Sequence, residues 1–433
     1  MWADLLPELC DLVVDRLDAI SILRFPAACK SWAAACKDSP RRLRSGSPTL
    51  LTSGLDLEGI ETEHDVDAGA FALHDVSSSS TTGGGRRSSF LGDAVGLKGR
   101  TWIGGKDDWL VTTDYHCNVE LLNPVTGDRV PLPSFESTRG LVQVTLPGYL
   151  YVSVEDRWHR ARWHKMIKVT LCQTPAHPSG YLAVALFSHG LLAYTAAGDD
   201  KCWTALKNKN GPAASRFDDA CCYYYMDAVV LEGKLFAVTE SGLVYSWDMK
   251  TSSSGTTEAP PAVVVWSPEE IKFSDHYGQG FYLATSSAGQ LLVIYVYGDI
   301  NYSFGVKDNR VSSRLVFNDR LSFDEFGMSI HELDARSGAW RRVADIGEDR
   351  ALFLGANCPF YITVPPGSEE LIKANCVYVA DTPSGYDVGI FDLNKGKDGY
   401  VERLTYSLMA DPLQMPMWFR PTTHPRLLKD RCL

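Results

Sequence analysis

Apolar residues Leu6, Leu9, Val13 and Leu17 stand at steps of three, four and four. That spacing places them on one face of a helix. Asp4 is positioned to cap this helix, and Pro7 falls in its first turn, where a missing N–H costs nothing. A second apolar run follows at Ile20, Leu23, Phe25, Ala28 and Trp32. Pro26 divides it into two short helices, with Asp18 and Ser21 as caps. Two or three short helices in residues 1–40 bury little apolar surface by themselves. Part of this leucine-rich face is therefore expected to meet a partner.

From about residue 100 to 405 the pattern changes to short runs of strand-forming residues separated by Gly, Asp, Asn or Pro. Examples are Trp109 to Thr113, Val119 to Leu122, Lys234 to Thr239, Leu291 to Tyr297 and Cys376 to Ala380. No helical period runs through this stretch, which argues against alternating βαβ units. A loose repeat recurs in which a strand ends in Asn or Asp and a Gly follows four residues later: Asn123 with Gly127, Asp334 with Gly338, and Asp392 with Gly396. The Asx side chain is expected to close a turn, with Gly in the left-handed position. Repeated sheets of about four strands in about 40 to 50 residues are the units of a β-propeller. Radial closure also hides the strand edges of a long all-β chain. The expected architecture is a small all-α N-terminal unit at 1–40, a linker at 41–47, an all-β propeller at 48–420 and a tail at 421–433. Six blades are favoured and seven admitted, and a pair of β-sandwiches is the weaker alternative.

Composition narrows the function. The 433 residues are 45 % hydrophobic and carry a formal charge of −11, which disfavours a nucleic-acid or anionic-membrane partner held by bulk charge. No apolar run reaches membrane-spanning length. The 11 cysteines include no Cys-x-x-Cys pair, so neither a disulfide framework nor a zinc site is expected. A reducing compartment, cytoplasm or nucleus, is the expected location.

The search for reactive motifs is largely empty. No Gly-x-Ser-x-Gly elbow exists. Gly99 with Gly104-Gly105-Lys106 misses a phosphate loop by one residue, and Asp107 stands where Ser or Thr belongs, so a turn is expected there. Gly278-Gln279-Gly280 lacks the third glycine of a dinucleotide fingerprint. The charged group Asp345, Glu348, Asp349 and Arg350 reads as a turn before a strand. Neither a catalytic residue nor a metal ligand nor a cofactor is assigned. The segment 157–165 interleaves Arg157, Arg160, Arg162 and Lys165 with Trp158 and Trp163. A hairpin tip is the plainer reading; as a contact surface, Arg160, Arg162 and Trp163 suit an acidic protein.

Two resemblances add to this reading. Leu6-Pro7, Glu8-Leu9, Val13 or Val14, Arg16-Leu17, Arg24-Phe25 and Cys29-Lys30-Ser31-Trp32 resemble, in order and spacing, the F-box. Pro26-Ala27-Ala28 departs from it where a valine is usual. Four further stretches, at 109–127, 234–248, 349–355 and 375–393, with a late Trp418-Phe419-Arg420-Pro421, are similar to the plant F-box family that carries a C-terminal KIB-type β-propeller. The resemblance implies that Leu5, Leu6, Pro7, Leu9, Val13, Leu17, Leu23 and Trp32 dock a Skp-type adaptor and through it a cullin scaffold. The propeller would then present a target protein for ubiquitination, as a non-catalytic receptor. The rival expectation is a propeller that binds a small ligand, or acts on one, in its central channel.

Overall fold

The computed structural model describes residues 6–14, 25, 28–35, 48–56, 71–75, 88–90, 97, 100–114, 118–133, 168–187, 191–198, 201–206, 225–249, 263–266, 279–297, 327–334, 338–364, 372–380, 388–398, 400–404, 408–410 and 417–420. Among the described residues near the N-terminus are the helices Pro7–Val14 and Lys30–Ala35, which pack on one another. Pro7 opens the first of them, and the amides of Leu9 and Cys10 donate to the Leu6 carbonyl at 3.0 and 3.1 Å. Asp4, the expected cap, lies outside the described residues. Between the helices, Phe25 stacks on Trp32 with ring centroids 4.3 Å apart, and Cys10 and Phe25 are buried.

The remaining elements form an all-β propeller. Its described strands group into six sheets. The first combines Thr49–Asp56, Phe71–Asp75 and Ser88–Phe90 with two strands from the other end of the chain, Leu408–Ala410 and Met417–Phe419. The second holds Arg100–Lys106, Trp109–Asp114, Val119–Leu122 and Arg129–Pro131. The third runs from Lys168–Gln173 to Thr204–Leu206, the fourth from Tyr225–Leu231 to Val263–Trp266, and the fifth from Gln279–Thr285 to Trp340–Val343. The sixth has five strands in the order Phe360–Thr363, Arg350–Leu354, Cys376–Val379, Val388–Asp392 and Tyr400–Leu404. Its second and third strands are parallel, unlike every neighbouring pair in the other sheets among the described residues. Five sheets are thus built wholly of consecutive strands, against the six or seven blades expected, and one is assembled from both ends.

Hydrophobic side chains explain why the sheets sit side by side. Each gap between consecutive sheets holds one apolar cluster. Leu73 and Met417 meet Trp102 between the first and second sheets. Val111 and Leu121 meet Val169 and Trp203 between the second and third. Leu186 meets Leu235 and Trp247, and Phe236 meets Phe281 and Tyr295, at the next two gaps. Ile294 meets Leu352 and Val377, and Leu50 and Trp418 meet Phe353 and Tyr378. The sixth cluster leads back to the first sheet, so the ring is closed. At about 25 cal/mol per Å² of buried apolar surface, these interfaces supply the main force holding the sheets together. The closing pairing is antiparallel, with Thr49 opposite Phe419, and the Thr49 hydroxyl donates to the Phe419 carbonyl at 3.0 Å.

The repeated turn keeps both its Asx closure and its left-handed glycine at Asn123, and its left-handed glycine at Gly338. Asn123 accepts the amides of Val125 and Thr126 through Oδ1, at 2.9 and 3.0 Å, and Gly127 follows with φ 80°. Gly338, with φ 68°, donates to the Asp334 carbonyl at 2.8 Å. At Asp392 the structure differs: Leu393–Asp398 is a 3-10 helix. Its start is held by the Asn394 amide donating to Asp392 Oδ1 at 3.0 Å. The Gly104-Gly105-Lys106 stretch also differs from its reading as a turn. It completes the strand Arg100–Lys106, and the turn comes one residue later, at Asp107 with φ 55°.

Candidate functional site

Two places concentrate features that a packed propeller does not need. The first is the N-terminal helix Pro7–Val14. Cys10 turns inward and is buried, whereas Leu6, Leu9 and Leu12 are 64, 44 and 60 % exposed. Among the described residues these three are the large hydrophobic side chains left open to solvent. They recur every third residue, so they form a contiguous apolar strip along the helix. Val13 and Trp32 are half-buried, with Trp32 stacked on Phe25. Pro7 sits at the first helical position. Leu5, Leu17 and Leu23 lie outside the described residues, as do Arg160, Arg162 and Trp163. Leu12 belongs to the exposed strip but not to the expected set. A step of three from Leu9 was its signal in the sequence, and the step of four to Val13 masked it.

The second place is the centre of the ring, where the first strands of the second to fifth sheets run past one another. Approach is closest at Gly104: a Cβ there would lie 1.8 Å from the Val169 carbonyl oxygen. Glycine is what lets the second and third sheets meet. Nearby, Lys168 opens the third sheet and Asp227 lies in the first strand of the fourth. Lys168 Nζ is 2.9 Å from Asp227 Oδ1 and donates to the Gly355 carbonyl at 3.1 Å. It also lies 5.9 Å from the Tyr282 ring centroid. Asp227 is fully buried. Its Oδ1 accepts the Ala228 amide at 2.9 Å, and its Oδ2 accepts the Leu283 amide at 3.0 Å. One ion pair thus ties the third, fourth, fifth and sixth sheets together. Both carboxylate oxygens are engaged by charge or amide donors, so Asp227 is placed as an anchor and has little capacity left as a base.

Farther along the same strands, Lys106 Nζ lies 3.6 Å from Cys358 Sγ. The Cys358 amide donates to the Gly105 carbonyl at 2.7 Å, and Gly105 pairs with Asn357 in a parallel bridge. Cys172 belongs to the same neighbourhood. Burial, with added repulsion from Cys358, pushes its thiol from the ordinary 9.0 up to about 12. The charge of Cys358 raises the Lys106 amine, against the opposing effect of burial. Among the described residues no group of three or more His, Cys, Asp or Glu is placed to hold a metal ion. The charged stretch before the sixth sheet is a turn, with the Gly347 amide on Asp345 Oδ1 at 2.6 Å. No helix among the described residues is long and apolar enough to cross a membrane.

Sequence reasoning missed Lys168 and Asp227. Their signals were a lone lysine and a lone aspartate opening or interrupting apolar strands, and pairing across 59 residues of chain leaves no local pattern.

A family model described as the KIB1-4 beta-propeller matches residues 81–392. A putative F-box protein of Arabidopsis thaliana is 25 % identical over 130 residues. That match covers 30 % of this chain and 32 % of the relative, so it spans about a third of that protein's length. Among solved structures, the N-terminal domain of Nup159 aligns over 84 % of both chains, with TM-score 0.31 and 11 % identity. YCF48 from Cyanidioschyzon merolae aligns over 70 % of this chain and 72 % of its own, with TM-score 0.30 and 9 % identity.

Proposed function

The chain belongs to the KIB1-4 β-propeller family, and from that premise we propose that it is a substrate receptor of a Skp–cullin–F-box ubiquitin ligase. The observation that carries the proposal is the exposed strip of Leu6, Leu9 and Leu12 on a helix whose Cys10 is buried. Open leucines in a row cost solvation free energy unless a partner covers them. The F-box resemblance of residues 4–38 names that partner as a Skp-type adaptor, which brings the cullin scaffold. In this reading the mixed sheet counts as the sixth blade, and the propeller is a rigid platform that carries a target protein on one face. Arg160, Arg162 and Trp163 are the proposed contact, and an acidic partner would associate through them faster at low salt. The six described cysteines form no disulfide with one another, and a reducing location in cytoplasm or nucleus is part of the proposal.

Channel chemistry is the second reading, and Asp227 weighs against it. A carboxylate saturated by Lys168 and two amides is part of the frame that the sheets are hung on.

Co-purification of the full chain from cells tests the proposal. An adaptor and a cullin should accompany it, and both should be lost when residues 1–40 are removed while the rest stays folded. Equal recovery of the adaptor with the truncated chain would overturn the reading. Proximity labelling with the two forms would then name targets, as proteins that accumulate when the ligase arm is missing. The same labelling repeated with Arg160, Arg162 and Trp163 changed to Ala decides whether that patch recognises them.

A further inference from the structure

We infer that Lys106 and Cys358 form an oxidation-dependent covalent staple, a sulfur–nitrogen bond between Cys358 Sγ and Lys106 Nζ. The two atoms stand 3.6 Å apart. They are fixed there by backbone and not by side-chain chance: the Gly105–Asn357 bridge and the Cys358 amide on the Gly105 carbonyl lock the residues beside them in register. Cys358 is buried and Lys106 half-buried, so solvent competes weakly for either group. The residues are 252 apart in the chain and belong to opposite sides of the central approach, the second and sixth sheets.

The chemistry follows from the charges. With the sulfur anionic, its charge holds the lysine as an ammonium ion, which is not a nucleophile. A hydroperoxide oxidises the thiolate: Cys358–S⁻ and H2O2 give Cys358–SOH and hydroxide, which takes a proton from the Lys106 ammonium ion to leave the free amine and water. The sulfur is oxidised by two electrons and the peroxide oxygen is reduced. The neutral sulfenic acid no longer stabilises the ammonium ion; the charge of Asp107 still does, against burial, which favours the free amine. The free amine then attacks sulfur, the S–N bond forms, the S–O bond breaks, and the hydroxyl leaves with one amine proton as water. Two thiol equivalents reverse it. The first takes the sulfur and releases the amine; the second restores Cys358–SH and leaves a disulfide of the reductant.

Cys172 supplies the competing outcome. Its thiol is pushed up to about 12 by burial, so it is protonated and a poor nucleophile near neutral pH. Capture by Lys106 is therefore favoured over a Cys172–Cys358 disulfide. The consequence is a reversible cross-link that closes a very long loop and stabilises the ring, because such a link restricts the unfolded chain.

The test treats the full chain with hydrogen peroxide, digests it with trypsin without reductant, and measures peptide masses. The inference predicts a cross-linked pair containing Lys106 and Cys358, lighter than the two free peptides by two hydrogens. Cleavage after Lys106 should be lost, and dithiothreitol should restore it. Thermal unfolding should shift upward by about 5 °C on oxidation, and Lys106→Arg, which keeps the charge, should abolish the shift. A Cys172–Cys358 disulfide, a Cys358 sulfinic acid beside a free Lys106, or an unmodified Cys358 would each overturn it. The mass measurement uses the unaltered protein, so it decides even where the variant folds poorly.

Discussion

Removing the Asp227 carboxylate should loosen the propeller more than any other single polar change at its centre. Asp227→Ala leaves Lys168 buried with only the Gly355 carbonyl and the Tyr282 ring as partners. It also strips the acceptor from the Ala228 and Leu283 amides. Breaking a buried ion pair from one side costs about 3–5 kcal/mol, and the Asp227→Ala loss should fall in that range. Asp227→Asn keeps the shape but turns one oxygen into a donor, which then faces an amide or the lysine, so roughly 2–4 kcal/mol is expected. Lys168→Met combined with Asp227→Leu removes both charges and should recover part of the loss. It still leaves the two amides without their acceptor, so about 1–3 kcal/mol remains. Urea unfolding of the full chain, followed by tryptophan fluorescence, measures all three, since Trp203, Trp247 and Trp418 are buried in different interfaces. A loss below about 1 kcal/mol for Asp227→Ala, or a double variant no more stable than Asp227→Ala, would refute the view that this pair ties four sheets together.

Two other consequences concern packing and pH. Gly104→Ala forces a methyl group against the Val169 carbonyl at 1.8 Å; a cost of about 3 kcal/mol or more is expected, and a Tm equal to the unaltered chain's would show that the sheets do not meet there. Burial, helped by the charge of Asp392, pushes the Cys376 thiol from the ordinary 9.0 up to about 12. The unfolded chain therefore releases this proton first, so stability is present below pH 9 and falls as pH rises from 9 towards 12. Cys376→Ala should flatten that fall in a pH series of unfolding curves, and an unchanged slope would assign the alkaline loss to other groups.

The all-β architecture was legible because strand patterning is local. Trp109 to Thr113 and Lys234 to Thr239 alternate or run apolar between turn residues, and both are strands in the structure. Turns were legible where the Asx–Gly spacing acts alone, as at Asn123 and Asp334. At Asp392 the carboxylate still accepts the amide two residues on, that of Asn394, as Asn123 accepts that of Val125, but the chain continues into a 3-10 helix that takes in Gly396. Of the expected helical face, Leu6 and Leu9 are exposed and Val13 is half-buried, and Leu12 is exposed as well; which of Leu12 and Val13 lies open depends on which side Cys10 buries, and that is a tertiary fact. Lys168 and Asp227 were not legible for a related reason. A lone charge in a strand looks like a surface residue until its partner, from another sheet, is known. The parallel pairing of Arg350–Leu354 with Cys376–Val379 was likewise hidden, since the intervening strand Phe360–Thr363 folds to the outer side of the pair.

The central claim rests on the helix surface. Its most direct test is calorimetric titration of a purified Skp-type adaptor into the full chain and into the Leu6→Ala, Leu9→Ala, Leu12→Ala variant. Exposed leucines contribute nothing to the folded core, so the variant should unfold at the same temperature. Three truncated anchors should weaken binding by about 100-fold or more. A saturable one-to-one complex with the unaltered chain, lost in the variant at equal stability, is the predicted result. Equal affinity for both chains, or no binding to either, would contradict the account.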